Sequence, residues 1–320
     1  MRHFDVDFRD KNGERYQLSK RIAELTEALM ANYFVYDTEV LEGVWFRDGK
    51  FTYEQREEGT WLPFDTEHDT WGYADCYAWM KHSFTVPTRF AGRPVYYQIL
   101  PQEGKKWAWG SPQALLYANG EALQGFDSNH TRTRLLDCAQ GGEHYEMLLN
   151  LYAGGRDYEG KIGTRLRLLS VDDEVEKLYW HLRTPLEVAN LKEPDELARI
   201  HLLQTLNEAV SLVSFHLPYG EDFLESVREA TAYLEKKLYG KREMEATVSA
   251  VGHTHIDVAW LWRLRQTRDK TSRSFATVLK LMEEYPDYRF MSSQAQLYEF
   301  IRQEHPAIFA RIRESAVSYT

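Results

Sequence analysis

The sequence predicts a multidomain α+β protein. A β-sandwich with helices comes first, two helices follow as a spacer, and an α/β domain then opens. Three observations carry this. Between 77 and 190, short apolar runs with period-two alternation are separated by turn residues. Between 193 and 239 the apolar spacing changes to three and four. From about 246 the order becomes strand, polar cluster, helix, strand, helix, which implies a parallel sheet or barrel. The boundaries drawn this way are 1–190, 191–244 and 245–320.

The elements follow in order. Residues 1–17 are charged and unpatterned. Ile22, Leu25, Leu29 and Tyr33 recur at helical spacing behind Ser19, a candidate N-cap, and predict a helix over 19–33. Asp48-Gly49, between the aromatic runs Val44-Trp45-Phe46 and Phe51-Thr52-Tyr53, is a hairpin signal. Strands are expected at Tyr77–Val86, Pro94–Leu100, His144–Tyr152, Ile162–Val171 and Val175–Leu182. Ala114–Phe126 folds back on itself at Asn119-Gly120. Helices are expected at Glu193–Phe215, with Pro194 in the first turn, and at Glu221–Tyr239, closed by Lys236, Lys237 and Gly240. Val248–Val251 reads as a short buried strand. A helix runs from about Trp260 to Tyr285 and stops at Pro286. Tyr288–Met291 is a second strand, and Pro306 kinks or splits the helix Ala295–Arg313.

Composition narrows the function. The 320 residues carry a net charge of −10, which argues against a non-specific nucleic-acid binder and against anionic membrane surfaces. The polar N-terminus has no apolar core of a secretory leader, and no run approaches the ~18 apolar residues of a membrane span. Cys76 and Cys138 are too few for a disulfide framework and are expected as buried free thiols in a reducing compartment. A soluble cytoplasmic protein is expected. No Gly-rich phosphate loop is present, so no nucleotide cofactor is expected.

The chemistry concentrates in Val248–Trp262, VSAVGHTHIDVAWLW. His253, His255 and Asp257 alternate, so an extended backbone aims all three the same way. An imidazole nitrogen beside a carboxylate oxygen suits zinc, with cobalt or manganese as looser alternatives. Two such ligands do not close a site, because catalytic zinc takes about three protein ligands. Metallo-β-lactamase-like hydrolases use HxHxDH, but Val258 stands where the last His belongs. Amidohydrolases place HxH on a first barrel strand, which His253 and His255 would fit.

The stretch GHTHIDVAWLWRLRQTRDKTSRSFATVLKLMEEYPDYRFMSSQAQLYEFI closely resembles the start of the catalytic domain of glycoside hydrolase family 38, the α-mannosidases. The likeness runs from Val248 to about Ile301. It includes Trp260, the Arg-rich helix, Tyr285-Pro286 and the Phe290-Met291-Ser292-Ser293-Gln294 turn. Phe84-Thr85-Val86-Pro87 through Tyr117-Ala118-Asn119-Gly120 carries a weaker likeness to the jelly-roll-like sandwich that precedes this domain in the cytosolic branch. The resemblance implies an α/β barrel that begins at 245. It implies zinc, with cobalt as a possible substitute, held by His255 and Asp257, Trp260 packed on the mannose ring, and His253 supporting a ligand without binding metal. It implies retaining, two-carboxylate hydrolysis of terminal α-mannosides of oligosaccharides. The family's nucleophilic Asp, last His ligand and acid lie further on, and no counterpart occurs before Thr320. The chain is therefore expected to be an N-terminal fragment with half a zinc site, no catalytic residue of its own and no activity alone.

Other constellations have plainer readings. Trp107 and Trp109 flank Ala108 and can stack on sugars, but loop packing explains them. Asp127–His130 and Asp172-Asp173-Glu174 read as solvated turns. His68-Asp69 and Trp71-Gly72 precede the first strong strand. A second reading of the chain is a non-catalytic module whose sandwich binds carbohydrate or mediates homo-oligomer assembly.

Overall fold

The computed structural model describes residues 16–107, 111–155, 161–193, 196–240 and 248–318. Trp109 and Pro194, both singled out above, lie outside these residues. Spatial contacts divide the chain into two units, Met1–Thr38 with Leu169–Ala246, and Glu39–Leu168 with Thr247–Thr320.

The first unit is helical. It contains α1 (Tyr16–Asn32), α2 (Asp173–Asn190), α3 (Leu197–Leu212) and α4 (Glu221–Lys237), and α2 packs against each of the other three. Ile22, Leu29, Leu178, Leu182, Leu206, Val227 and Leu234 are buried there. Tyr33 stacks on Phe223 at 4.2 Å. The stretch Val175–Leu182, expected as a strand, is helical. Val175, Leu178, Tyr179, Leu182 and Leu186 recur at three and four, so one helix face buries them all. The Asp172 side chain caps this helix by accepting from the amides of Glu174 and Val175 at 2.9 and 3.3 Å. The acidic run is thus a helix start, where carboxylates oppose the positive end of the dipole. Pro185 inside α2 cannot donate to the carbonyl of His181. That carbonyl accepts from Tyr239 Oη instead, at 3.2 Å.

The second unit is mostly β. Its strands begin with β1 (Val35–Val40), β2 (Val44–Asp48), β3 (Leu62–Phe64), β4 (Thr70–Trp71), β5 (Tyr77–Thr85) and β6 (Val95–Leu100). They continue with β7 (Gln113–Ala118), β8 (Glu121–Phe126), β9 (Arg132–Leu136), β10 (His144–Tyr152), β11 (Ile162–Gly163) and β12 (Arg165–Val171). The chain crosses between the units within β1 and β12. One sheet has the order β1-β12-β6-β9, a second the order β3-β2-β5-β10-β7-β8, and β11 pairs with β4. The two large sheets share a core. Ala78, Met80, Leu116, Met147, Leu149 and Leu151 meet Val95, Tyr97, Ile99, Leu166 and Leu168. Asn119 and Gly120 have φ of +49° and +89°, the two left-handed positions of a tight hairpin.

The Asp48-Gly49 hairpin does not form: β2 pairs with β3 and β5, and Phe51–Tyr53 is loop. Arg47, only 2% exposed, decides this. Its guanidinium lies 3.9 Å from the Phe51 ring centroid and 4.7 Å from that of Trp61. It donates to the carbonyls of Gln55 and Glu58, which gathers residues 51–61 over the sheet.

The outer face of the six-stranded sheet carries a second core. Trp79, Leu115 and Tyr117 pack there against Phe275, Ala276, Leu279, Leu297, Phe300 and Ile308. These belong to α5 (Leu264–Glu284), α6 (Ala295–Glu304) and α7 (Pro306–Ser318), so Pro306 splits the expected helix in two. Gly125 on β8 lets α5 touch the sheet, since a Cβ there would lie 2.7 Å from Arg273 Cβ. Its amide donates to Thr277 Oγ1 at 3.0 Å. The strand expected at Val248–Val251 is absent. Val248 and Val251 are 83% and 55% exposed, too open to reward a buried strand. The strand is β13 (Gly252–His253), paired in parallel with β14 (Phe290–Met291). Gly252 is the first residue of β13, and a Cβ there would fall 2.2 Å from Tyr288 Oη. No helix among the described residues is long and apolar enough to cross a membrane.

Candidate functional site

The motif residues leave β13 toward α5. Ile256 is fully buried and anchors the segment, while its neighbours His255 and Asp257 turn outward. His255 Nε2 lies 3.0 Å from Asp257 Oδ1, and their side chains are 72% and 42% exposed. The two expected ligands are therefore adjacent and accessible. His253 is exposed on the same stretch. Trp260 is 68% exposed and meets Trp262 edge-on at 5.5 Å between centroids.

Residues without chemistry of their own hold this loop. Gln294, just ahead of α6, clasps the backbone of Ile256: its Nε2 donates to the carbonyl at 2.9 Å and its Oε1 accepts from the amide at 3.4 Å. Thr267, fully buried in the first turn of α5, uses its hydroxyl three times. Oγ1 donates to the Asp257 carbonyl at 3.1 Å and accepts from Ala259 N at 3.1 Å and Trp262 Nε1 at 3.0 Å. Ala259 has φ of +60°, a left-handed conformation costly for a residue with a Cβ. Its amide bond to Thr267 helps offset that cost.

The start of α5 is tied to the sandwich by Asp75. Asp75 Oδ2 lies 3.1 Å from Arg265 Nη2 and 3.7 Å from Arg263 Nη1. Asp75 Oδ1 accepts from Tyr152 Oη at 2.8 Å and from Gln266 Nε2 at 3.1 Å. Burial, together with this carboxylate, pushes the Tyr152 phenol up to about 12. Further along α5, Asp269 Oδ2 accepts from Tyr77 Oη at 2.6 Å. Burial, then the Asp269 charge, raises that phenol well above its ordinary value.

The sequence singles out His255, Asp257 and Trp260, which the structure places on one exposed segment, but not the residues that hold that segment. Thr267 and Gln294 look like ordinary polar residues on helix surfaces. Asp75 lies 191 residues from Gln266, with no local signal. The only hint was Gln266, three residues after Arg263, whose side chain accepts from the Arg263 amide in a capping box.

The other candidates resolve as structure. Trp71 is buried and donates to Thr164 Oγ1 at 3.0 Å. His68 pairs with Asp65 on an exposed turn, and Asp127 Oδ1 closes its own turn by accepting from the Asn129 and His130 amides. Trp107 is partly buried against the sandwich core and donates to the Gly163 carbonyl. Both cysteines are free, but only Cys76 is buried, and burial pushes its thiol up to about 11; Cys138 is exposed, against expectation.

Among the described residues, no three His, Cys, Asp or Glu side chains are grouped to hold a metal ion. His255 and Asp257 offer an imidazole nitrogen and a carboxylate oxygen, donor types that suit zinc. Residues 245–318 match the model of the glycosyl hydrolases family 38 N-terminal domain. The match covers under a quarter of the chain, and it is this segment that is similar to glycoside hydrolase family 38. The whole motif described above, from β13 to α7, falls inside the matched family 38 segment.

The likeness extends upstream. The chain is 25% identical over 261 residues to alpha-mannosidase G of Dictyostelium discoideum, covering 75% of this chain and 22% of that protein. It is 28% identical over 262 residues to alpha-mannosidase 2C1 of Homo sapiens, covering 78% and 24%. It is 31% identical over 127 residues to an alpha-mannosidase of Saccharomyces cerevisiae, covering 39% and 10%. The chain thus spans about a quarter of the length of the first two relatives. Among solved structures, a β-glucuronidase from Ruminococcus gnavus in complex with D-glucuronic acid matches 43% of this chain and 30% of its own, at 10% identity and a TM-score of 0.29. Nothing about fold or site follows from a likeness of that size.

Proposed function

We propose that this chain contributes the first part of the active site of a zinc-dependent, retaining exo-α-mannosidase of cytosolic type, acting on terminal α-mannosides of oligosaccharides. The observation that carries the reading is the accessible His255–Asp257 pair at 3.0 Å, beside the exposed Trp260, inside the matched segment. His255 Nε2 and an Asp257 carboxylate oxygen would hold the metal. Bound zinc would supply a Lewis acid and a template for sugar hydroxyls. Trp260 offers an indole face for the apolar side of a mannose ring. Thr267 and Gln294 fix the backbone on both sides of Asp257, so the ligands are placed before substrate arrives. The N-terminal sandwich corresponds to a jelly-roll module in this reading, and β13 and β14 to the first strands of an α/β barrel.

Cobalt titration of the chain tests the metal reading through visible absorption. Two ligands should give weak binding, and His255→Ala or Asp257→Asn should remove it. Residual binding unaffected by both variants would place the metal elsewhere. Tight stoichiometric binding, or turnover of an aryl α-mannoside by this chain, would contradict a half-site.

A further inference from the structure

The six-stranded sheet exposes part of its outer face beyond the helices. A cavity of about 510 Å³ opens there. The register aligns its floor. Trp45, Lys81, Leu148 and Tyr117 sit side by side on β2, β5, β10 and β7. The next row holds Ser83 opposite Glu146. Asn119 continues that row, exchanging hydrogen bonds with the Glu146 backbone: each donates through its amide, to the Glu146 carbonyl and to Asn119 Oδ1, both at 2.8 Å. Tyr53 walls the cavity, stacked on Tyr117 at 4.5 Å and donating to the Gly120 carbonyl.

Trp45 is 44% exposed on this floor. An indole on the middle of a rigid strand, open to water, forfeits apolar burial that a ligand could restore. Two cations, Arg56 and Lys81, and two carboxylates, Glu57 and Glu146, line the cavity, so its formal charge is zero. Lys81 pairs with Glu57 at 3.5 Å, whereas the Glu146 carboxylate has no side-chain partner among the described residues. A neutral ligand with an apolar face and many hydroxyls fits these features: the face lies on Trp45, and hydroxyls donate to Glu146 and exchange bonds with Asn119 and Ser83. Trp45 and Glu146 are two strands apart, roughly 10 Å, and one row apart along the strands, roughly 7 Å. That span asks for an oligosaccharide rather than a single ring. A neighbouring cavity of about 490 Å³ is less suited, because Lys50–Asp269, Arg268–Glu304 and Tyr77–Asp269 already satisfy one another there.

We propose that this face is a glycan-binding site for α-mannoside oligosaccharides, separate from the His255–Asp257 loop, with Trp45 as stacking platform and Glu146 as principal hydroxyl acceptor. The sugar class rests on the function proposed above; the site does not share its residues. Calorimetric titration of the full chain with α-1,6-mannotriose tests it. Saturable binding is expected, weakened at least roughly ten-fold by Trp45→Ala and several-fold by Glu146→Gln, with Trp180→Ala, at an exposed tryptophan of α2 that does not line the cavity, binding as the wild type does. Both altered side chains are exposed, and circular dichroism with Trp45→Phe confirms that loss of binding is not loss of fold. No saturable binding at tens of millimolar sugar, or wild-type affinity in Trp45→Ala, overturns the site. Loss in Trp260→Ala with retention in Trp45→Ala overturns it too, while leaving the mannosidase reading intact.

Discussion

Thr267 shows how much of the candidate site depends on a residue that touches no substrate. One buried hydroxyl has one hydrogen to give and two lone pairs to share, and all three are used around Asp257, Ala259 and Trp262. Thr267→Val keeps the shape and removes the hydroxyl, leaving two part-buried donors without that acceptor. A loss on the order of 1–3 kcal/mol in urea unfolding is expected, with altered tryptophan emission from Trp260 and Trp262. Thr267→Ser should keep most of the wild-type stability and emission. Equal stability of the valine variant would show that the hydroxyl does not organise the loop.

At the scale of elements, the seat of the candidate site is the contact between α5 and β8. Gly125 makes it possible, because the atoms that a Cβ would meet are the Arg273 backbone and its Cβ, which cannot rotate away. Gly125→Ala should force the helix outward at about 1–3 kcal/mol, the usual range for overpacking. The check is a lower unfolding midpoint together with faster amide exchange along 264–284. An unchanged midpoint would mean that α5 is not seated there. The Asp75 cluster acts at the other end of the same contact, so one long helix is pinned at its first turn and again near its middle. The strands themselves were legible where side-chain alternation met turn chemistry, as at Asn119-Gly120. They were not legible where a single buried cation, Arg47, reorganised a loop, or where an apolar run such as Val175–Leu182 satisfied both periods.

At the scale of the whole molecule, His82 gives stability a pH dependence. The ring is 5% exposed in the sandwich core, 2.9 Å from Tyr97 Oη. Burial holds it neutral and lowers its pKa from 6.5 to about 3. Below pH 6.5 the unfolded chain takes up a proton at this site that the folded chain refuses. Stability therefore falls as pH drops from about 6.5 toward 3 and recovers as pH rises. At pH 5 the penalty from this group is on the order of 2 kcal/mol. His82→Phe should flatten the slope of unfolding free energy between pH 7 and 5 relative to wild type, whatever its effect at pH 7. Parallel slopes for the two proteins would exclude the ring as the source.

What the sequence determined by itself is chemical identity. GHTHID followed by a tryptophan-rich run singled out His255, Asp257 and Trp260 and a resemblance to one family, because residue type and local spacing are written within a few residues. The helical spacing after 193 and the strands from Tyr77 to Val171 were likewise local patterns. What only the tertiary structure decided is support and environment. Gln294, Thr267 and Asp75 reach the motif from residues distant in sequence or on the opposite side of a turn, and hydrogen bonds of that kind leave no periodic trace. The same holds for Trp45. Its exposure, and its alignment with Lys81 and Glu146, follow from strand order and register, and register is a property of four strands meeting, not of any one of them.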